Sequence, residues 1–340
     1  MRYYGCKTKL LDYIEEVVTT LPIKKGATFF DIFSGTTAVG HHFKKLGYTV
    51  YSNDFLEFAY SLARTNIETN TIPKFKKLNL GIDIIDHLNN NVKGKVGFIT
   101  KNYAPHGNNK RQYLSVENAK KVDAVREQIE KWKESKSISE TEYYYLLTSL
   151  INAVSLVANV TGTYAAFLKS WDRRALKPMT LTHGDIVDNK LENKAFHADA
   201  NNLVGMHKVD VLYLDPPYNA RQFASNYFFL ELIAEGWFKK IPEIYGNAGM
   251  RPYEDQKSDY SISRKAADAL SDLVAKAKAK YILLSYNDEG IIPIPVLKQI
   301  LGTRGEVKEY TKEHKRYRAI NQDGSKIITK EHLFLLTVKK

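Results

Sequence analysis

The stretch VDVLYLDPPY, residues 209–218, is where the chain declares its fold. Val209, Val211, Leu212, Tyr213 and Leu214 make a nearly continuous apolar run of β-branched and aromatic residues, which suits a strand buried on both faces. The run stops at Asp215-Pro216-Pro217-Tyr218. Neither proline has an N–H for a sheet ladder, and each biases the residue before it towards extended backbone. An acid and an aromatic ring are left at the carboxyl end of the strand, which is where open α/β sheets bind ligands. An accepting carboxylate, rigid carbonyls and a stacking ring suit a flat heterocycle with an exocyclic amine. Asp-Pro-Pro alone also reads as a strand end followed by a proline-rich turn.

With Asn219-Ala220-Arg221-Gln222-Phe223 behind it, the segment resembles motif IV of the amino-methyltransferases that use S-adenosylmethionine, in the Asp-Pro-Pro-Tyr form typical of N6-adenine DNA methylases. The resemblance implies Asp215, Pro216, Pro217 and Tyr218 as the catalytic set. Asp215 would also meet the cofactor, and Arg221 would lie near DNA.

Upstream, residues 27–33 (ATFFDIF) predict another buried strand, running into Ser34-Gly35-Thr36-Thr37-Ala38-Val39-Gly40 and a helix over 41–46. A strand, a glycine turn and a helix make the cofactor cradle of a Rossmann-like unit, because small residues and helix N–H groups let a ligand approach the backbone. The stretch resembles motif I, commonly Asp-x-Phe-Ser-Gly-Thr-Gly, and this implies Asp31, Phe33, Ser34, Gly35, Thr36 and Thr37 as cofactor residues. Thr37 stands where the family has its second glycine, and a β-branched residue resists the positive φ that glycine permits. Residues 48–52 predict the next strand, followed by Asn53-Asp54-Phe55. Asp54 is placed either to accept ribose hydroxyls, with Phe55 beside it, or to cap the helix predicted over 55–68. At the start, Tyr3-Tyr4-Gly5-Cys6-Lys7 precedes an amphipathic run over 9–18 and resembles motif X, usually Tyr-x-Gly-Ser-Lys. By that resemblance Tyr3 and Lys7 lie near the methionine end of the cofactor. Residues 195–200 resemble motif III, which implies that Asp199 and Ala200 meet the cofactor's adenine; Asp185 is the competing acid.

Between Asp86 and Glu117 the chain has no acid. Lys101, Lys110 and Arg111 alternate there with Tyr103 and Tyr113, around Asn108, Asn109 and Gln112. A basic, aromatic, amide-bearing loop suits phosphate contacts with base stacking or edge reading, and a solvated loop is the plainer alternative. Helices follow over 116–134 and, from a Ser139/Glu142 capping box, beyond 139. Lys169, Arg173 and Arg174 add possible phosphate contacts, as do Lys315, Arg316 and Arg318 between two strands predicted within 306–338.

The formal charge of +12 and pI near 9.3 favour a polyanionic partner. One cysteine, Cys6, excludes an internal disulfide and a zinc–cysteine cluster and suits a reducing cytosol. No apolar run is long enough to span a bilayer, and no metal-ligand cluster stands out, so neither membrane nor metal is expected. The motif order, cofactor motifs then insertion then motif IV, matches the alpha group, or Dam-like, adenine methylases. The resemblance implies an α/β Rossmann-like methyltransferase fold with a mostly parallel seven-stranded sheet. The catalytic domain is expected at 1–80 and 190–340, and a largely helical target-recognition insertion at 81–189. S-adenosylmethionine is the implied cofactor and double-stranded DNA the implied partner. The chain would act as a cytoplasmic, monomeric or weakly dimeric enzyme, either an orphan or paired with a cognate restriction endonuclease. An rRNA base methyltransferase and a non-catalytic DNA-binding relative remain the alternative functions.

Overall fold

A computed structural model describes residues 5–107, 110–320 and 326–339, with backbone alone for 314–320 and 326–329. Among these residues seven strands form one mixed sheet: β1 (Thr28–Asp31), β2 (Thr49–Asp54), β3 (Lys194–His197), β4 (Lys208–Leu214), β5 (Lys278–Asn287), β6 (Gly305–Ile320) and β7 (Lys326–Val338). Their order is β3-β2-β1-β4-β5-β7-β6. The first five are parallel, and β7 runs antiparallel to both β5 and β6. The order reverses between β1 and β4, whose register sets Asp31 opposite Tyr213. That reversal opens a crevice at the carboxyl ends of both strands, where the glycine turn and Asp-Pro-Pro-Tyr begin.

The chain divides into two compact units. One comprises Lys7–Phe55, Leu191–Gln222 and Lys257–Lys340 and contains the whole sheet. Alternating residues of its strands face opposite ways, as the pleat requires. Phe30, Ile32, Leu212, Leu214, Ile282 and Leu284 share one core with Leu270, Leu273, Leu297 and Leu301 from the helices Ser263–Lys276 and Ile294–Gly302. Phe29 points the other way and stacks on Phe43 of the helix Ala38–Lys45, ring centroids 3.9 Å apart. Helices therefore cover both faces, and β4, with parallel neighbours on either side, is continuously buried from Val211 to its end at Leu214.

The other unit comprises Met1–Cys6, Leu56–Lys190 and Phe223–Gln256. The expected insertion, 81–189, falls inside it. The unit also takes in the helix Glu57–Ala63 and the helix Phe228–Glu235, because Phe58, Leu62, Phe228, Phe229 and Leu232 are buried in one core with Val125, Leu147 and Leu150. The helices Val116–Glu134 and Glu140–Val157 begin at Ser115 and Ser139, whose hydroxyls accept from Asn118 N and Glu142 N, the second closing the predicted capping box.

Candidate active site

Asp215 follows directly on β4, its side chain only 17% exposed. Its Oδ1 stands 3.2 Å from Lys7 Nζ, an ion-pair distance without an aligned hydrogen bond. Lys7 begins a single 3-10 turn, Lys7–Lys9, is buried, and donates to Glu331 Oε1 on β7. Ser285 Oγ on β5 donates to the same oxygen at 2.6 Å. Burial raises the Asp215 pKa to about 6 against the pull of the Lys7 ammonium, with Glu331 adding to the rise. Burial works against the Lys7 charge, yet Asp215 and Glu331 hold its pKa well above the ordinary lysine value.

Tyr218 is held by what packs on it. Its ring centroid lies 5.6 Å from Lys7 Nζ and meets the Tyr286 ring edge-on at 6.0 Å. The Tyr218 carbonyl accepts from Ile291 N at 2.9 Å, and the Tyr286 hydroxyl accepts from Ile292 N at 3.0 Å. Gly290 is required between them, because a Cβ there would lie 2.1 Å from the Tyr286 ring.

At the end of β1 the predicted glycine turn is present. Gly35, at φ 48°, donates its N–H to Asp54 Oδ2 at 2.8 Å. That bond rules out the helix-capping reading of Asp54, since the following helix begins after Leu56 without a side-chain cap. Thr37 takes the left-handed conformation that glycine would have taken, φ 63° and ψ 12°, and does so fully buried. Its N–H donates to Ser34 O at 2.7 Å and its hydroxyl to Thr36 O at 2.6 Å, which compensates part of the strain. Asp31 accepts from Gly40 N at 3.3 Å through Oδ2, while its Oδ1 and Ser34 Oγ are buried without hydrogen-bond partners. Burial, then the charges of Asp215 and Asp54, raise the Asp31 pKa well above the carboxylate range. An acid raised by two acidic neighbours suits a ligand that brings positive charge and hydrogen-bond donors.

Phe33 packs edge-on against Tyr260 at 5.1 Å, and the Phe55 carbonyl lies 3.1 Å from His197 Nε2. Asp199 is exposed and caps the helix Ala200–Leu203 through Asn202 N, and Ala200 is buried. Asp185, the competing acid, belongs to the other unit. Two residues that sequence reasoning missed hold this region together. Asn53 donates from Nδ2 to the carbonyls of Ile32 and Ala198 and accepts from Ala198 N, tying the ends of three strands. Glu331 is the other. The signal for it is an acid on the same strand face as the buried Leu333 and Leu335.

The predicted DNA contacts divide. Tyr103, Tyr113 and Arg111 are corrected to structural roles. The Tyr103 hydroxyl donates to Gly249 O and the Tyr113 hydroxyl to Tyr164 O, each at 2.7 Å, and both rings are fully buried. Arg111, 3% exposed, donates to the carbonyls of Asn102, Gly246 and Asn247. Arg174 is likewise turned inward, its guanidinium on the Ala158 carbonyl at 2.9 Å, at the end of the helix Glu140–Val157. Gln112 is half-buried, with an unpartnered amide oxygen. Lys101, Lys110, Lys169, Arg173 and Arg221 are exposed. Tyr3, Asn108 and Asn109 lie outside the described residues, as do the side chains of Lys315, Arg316 and Arg318. Among the described residues no group of three or more His, Cys, Asp or Glu side chains is placed to hold a metal ion, and no helix is long and apolar enough to cross a membrane.

The family model described as D12 class N6 adenine-specific DNA methyltransferase matches residues 3–300. Type II methyltransferase M.FokI of Planomicrobium okeanokoites is 39% identical over 344 residues, covering 100% of this chain and 53% of that protein. Modification methylase StsI of Streptococcus sanguinis is 44% identical, covering 88% of this chain and 46% of its own length. Type II methyltransferase M.NlaIII of Neisseria lactamica is 34% identical, covering 94% of this chain and 93% of its own. This chain thus spans about half the length of the first two and nearly all of the third.

Proposed function

Because this chain belongs to the D12 class N6 adenine-specific DNA methyltransferase family, we propose that it methylates N6 of an adenine at a specific site in duplex DNA, as the modification arm of a restriction-modification system. The observation that most supports this reading is Asp215 at the end of β4, charged through Lys7 and followed by two prolines and a supported aromatic ring. The N6 amine is a poor nucleophile, because its lone pair is delocalised into the ring. Asp215 and the Pro216 carbonyl accept its two N–H bonds, which favours a pyramidal nitrogen with its lone pair exposed. Holding that nitrogen in line supplies much of the rate. A base inside a duplex cannot reach such a pocket, so it flips out, and Tyr218 offers a face that offsets part of the unstacking cost of a few kcal/mol.

S-adenosylmethionine, when bound, supplies the electrophilic methyl group. The residues present fit it. Asp31 Oδ1 and Ser34 Oγ are buried acceptors without partners, and the clustered acids Asp31, Asp54 and Asp215 match a ligand carrying a sulfonium and an ammonium. Asp54, beside the Gly35 turn, is the candidate for the ribose hydroxyls.

Transfer of labelled methyl from S-adenosylmethionine to duplex DNA, with rRNA as the competing acceptor, tests the reading. Duplex DNA is expected to be labelled at N6 of adenine, and Asp215→Ala is expected to abolish labelling while cofactor still binds. Labelling of rRNA alone, or of neither acceptor, would overturn it.

A further inference from the structure

We propose that Glu331, steadied by Ser285, is a positioning residue that shares the Lys7 ammonium with Asp215 and so keeps Asp215 a strong acceptor for the substrate amine, an inference that rests on the methyl-transfer reading above. Lys7 is 5% exposed, Glu331 2% and Ser285 0%. A buried lysine and a buried glutamate already balance in charge, and a buried pair persists only where its remaining lone pairs and protons are satisfied. The Ser285 hydroxyl supplies that satisfaction on Glu331 Oε1. The sheet register allows it: Ser285 lies opposite Leu333 and Glu331 opposite Asn287, so the two side chains are diagonal neighbours across β5 and β7.

Asp215 is therefore a second acid on an ammonium that is already matched. The geometry divides the ammonium unequally. Glu331 takes the direct hydrogen bond, whereas Asp215 takes an ion pair at 3.2 Å without an aligned one. Had Lys7 been paired with Asp215 alone, its N–H would occupy a carboxylate lone pair and reduce the oxygen's strength as an acceptor. With Glu331 present, Lys7 contributes charge to Asp215 from a longer, poorly aligned contact, which weakens its claim on that lone pair. Among the described residues, Asp31 on β1 and Tyr213 on β4 also face Asp215, and Tyr218 faces Lys7. Tyr13 faces Glu331 from the helix Leu11–Thr19. Lys312 on β6 lies opposite Glu331 in the sheet and sets its ammonium 5.1 Å from the Tyr13 ring centroid, but it is exposed, so Lys7 is the buried cation, among the described residues, that the two acids contest. The direction of the Asp215 shift agrees, with Glu331 on the raising side and Lys7 on the lowering side.

The test is the pH profile of methyl transfer by the full chain, beside direct titration of the Asp215 carboxyl by 13C NMR without DNA or cofactor, assigned with Asp215→Asn. In Glu331→Gln the acid limb and the Asp215 titration are both expected to move to lower pH by roughly one unit, the scale of one neighbouring charge. The plateau rate is expected to fall severalfold, with little change in the KM for cofactor. Glu331→Asp, which keeps the charge, is expected to hold the limb near that of the wild type. Ser285→Ala leaves Glu331 a stronger rival for Lys7, so its limb and its Asp215 titration are expected to move to higher pH, and this arm serves if Glu331→Gln does not fold. An Asp215 titration unmoved in folded Glu331→Gln or Ser285→Ala overturns the proposal, as does a wild-type pH profile in Glu331→Gln. If the wild type labels no duplex while the carboxyl titration shifts as stated, the methyl-transfer reading fails and the arrangement of Glu331, Lys7 and Asp215 stands.

Discussion

Thr37 is the residue at which local preference and observed geometry conflict most directly. An L-residue at positive φ costs roughly 1–2 kcal/mol, and β-branching adds to that. The hydroxyl bond to Thr36 O recovers about 1 kcal/mol. Thr37→Gly should therefore stabilise the fold by up to about 1 kcal/mol, whereas Thr37→Ala keeps the strain, loses the bond and should destabilise by about 1 kcal/mol. Thermal unfolding of the two variants checks the order, and a less stable glycine variant would show that the turn is not strained. Asp215 makes a second prediction with a definite sign. Its pKa of about 6 lies above the unfolded value near 3.9. Between those two values the folded chain binds more protons, so this residue's contribution to stability is lost as pH rises through the window. Asp215→Asn should flatten the pH dependence of Tm between about pH 4 and 6, as scanning calorimetry across that range would record.

Elements with local causes were legible in the sequence, and those with tertiary causes were not. The helix Val116–Glu134 has the predicted bounds, because an apolar stripe runs through it and Ser115 caps its start. The apolar stretch 223–235 reads as one helix but forms two, Phe223–Asn226 and Phe228–Glu235. The Asn226 carbonyl is taken at 2.7 Å by Tyr164 N, 62 positions earlier in the chain, and no periodicity records that contact. The glycine turn, Lys7 and Asp-Pro-Pro-Tyr were legible as short motifs, whereas Glu331 reaches its place only through strand register. The helix Glu57–Ala63 shows the same division. Its first N–H groups are met by Glu231, which accepts from Glu57 N at 2.8 Å and Phe58 N at 2.9 Å. Burial, with Glu235 adding, raises the Glu231 pKa to about 8, but the two N–H groups meet different carboxylate oxygens, so an amide of the same shape can accept only one of them. Glu231→Gln, which strands one buried donor, is expected to cost about 1–2 kcal/mol, and Glu231→Ala, which strands two, about 2–4 kcal/mol. Urea denaturation measures both, and equal losses would mean that the carboxylate charge, and not the cap, is what matters.

For the molecule as a whole, the net charge of +12 favours a polyanionic partner, but burial decides which cations can act on one. Among those predicted in the acid-free stretch, Lys101 and Lys110 are exposed, whereas Arg111 spends its guanidinium on three backbone carbonyls. Two of these belong to residues 246 and 247, within the turn closed by the Tyr245–Met250 bridge. Charge was legible in sequence; its division into solvent-facing and structural groups required the packing. The consequence for binding is quantitative. Each phosphate that a cation neutralises releases counterions and contributes about −0.9 to the slope of log K against log salt on duplex DNA. Replacing Lys101 or Lys110 by alanine should weaken binding to all duplexes alike and reduce the slope by about one for each phosphate left without its cation, with Tm nearly unchanged. Arg111→Ala should instead remove about 2–4 kcal/mol of stability, since three carbonyls lose a charged donor. Its slope should stay at the wild-type value wherever the variant is still folded. Titrations at several salt concentrations, read beside thermal melts of the same proteins, separate the two classes. A slope that fell for Arg111→Ala without loss of stability would return that residue to the DNA surface.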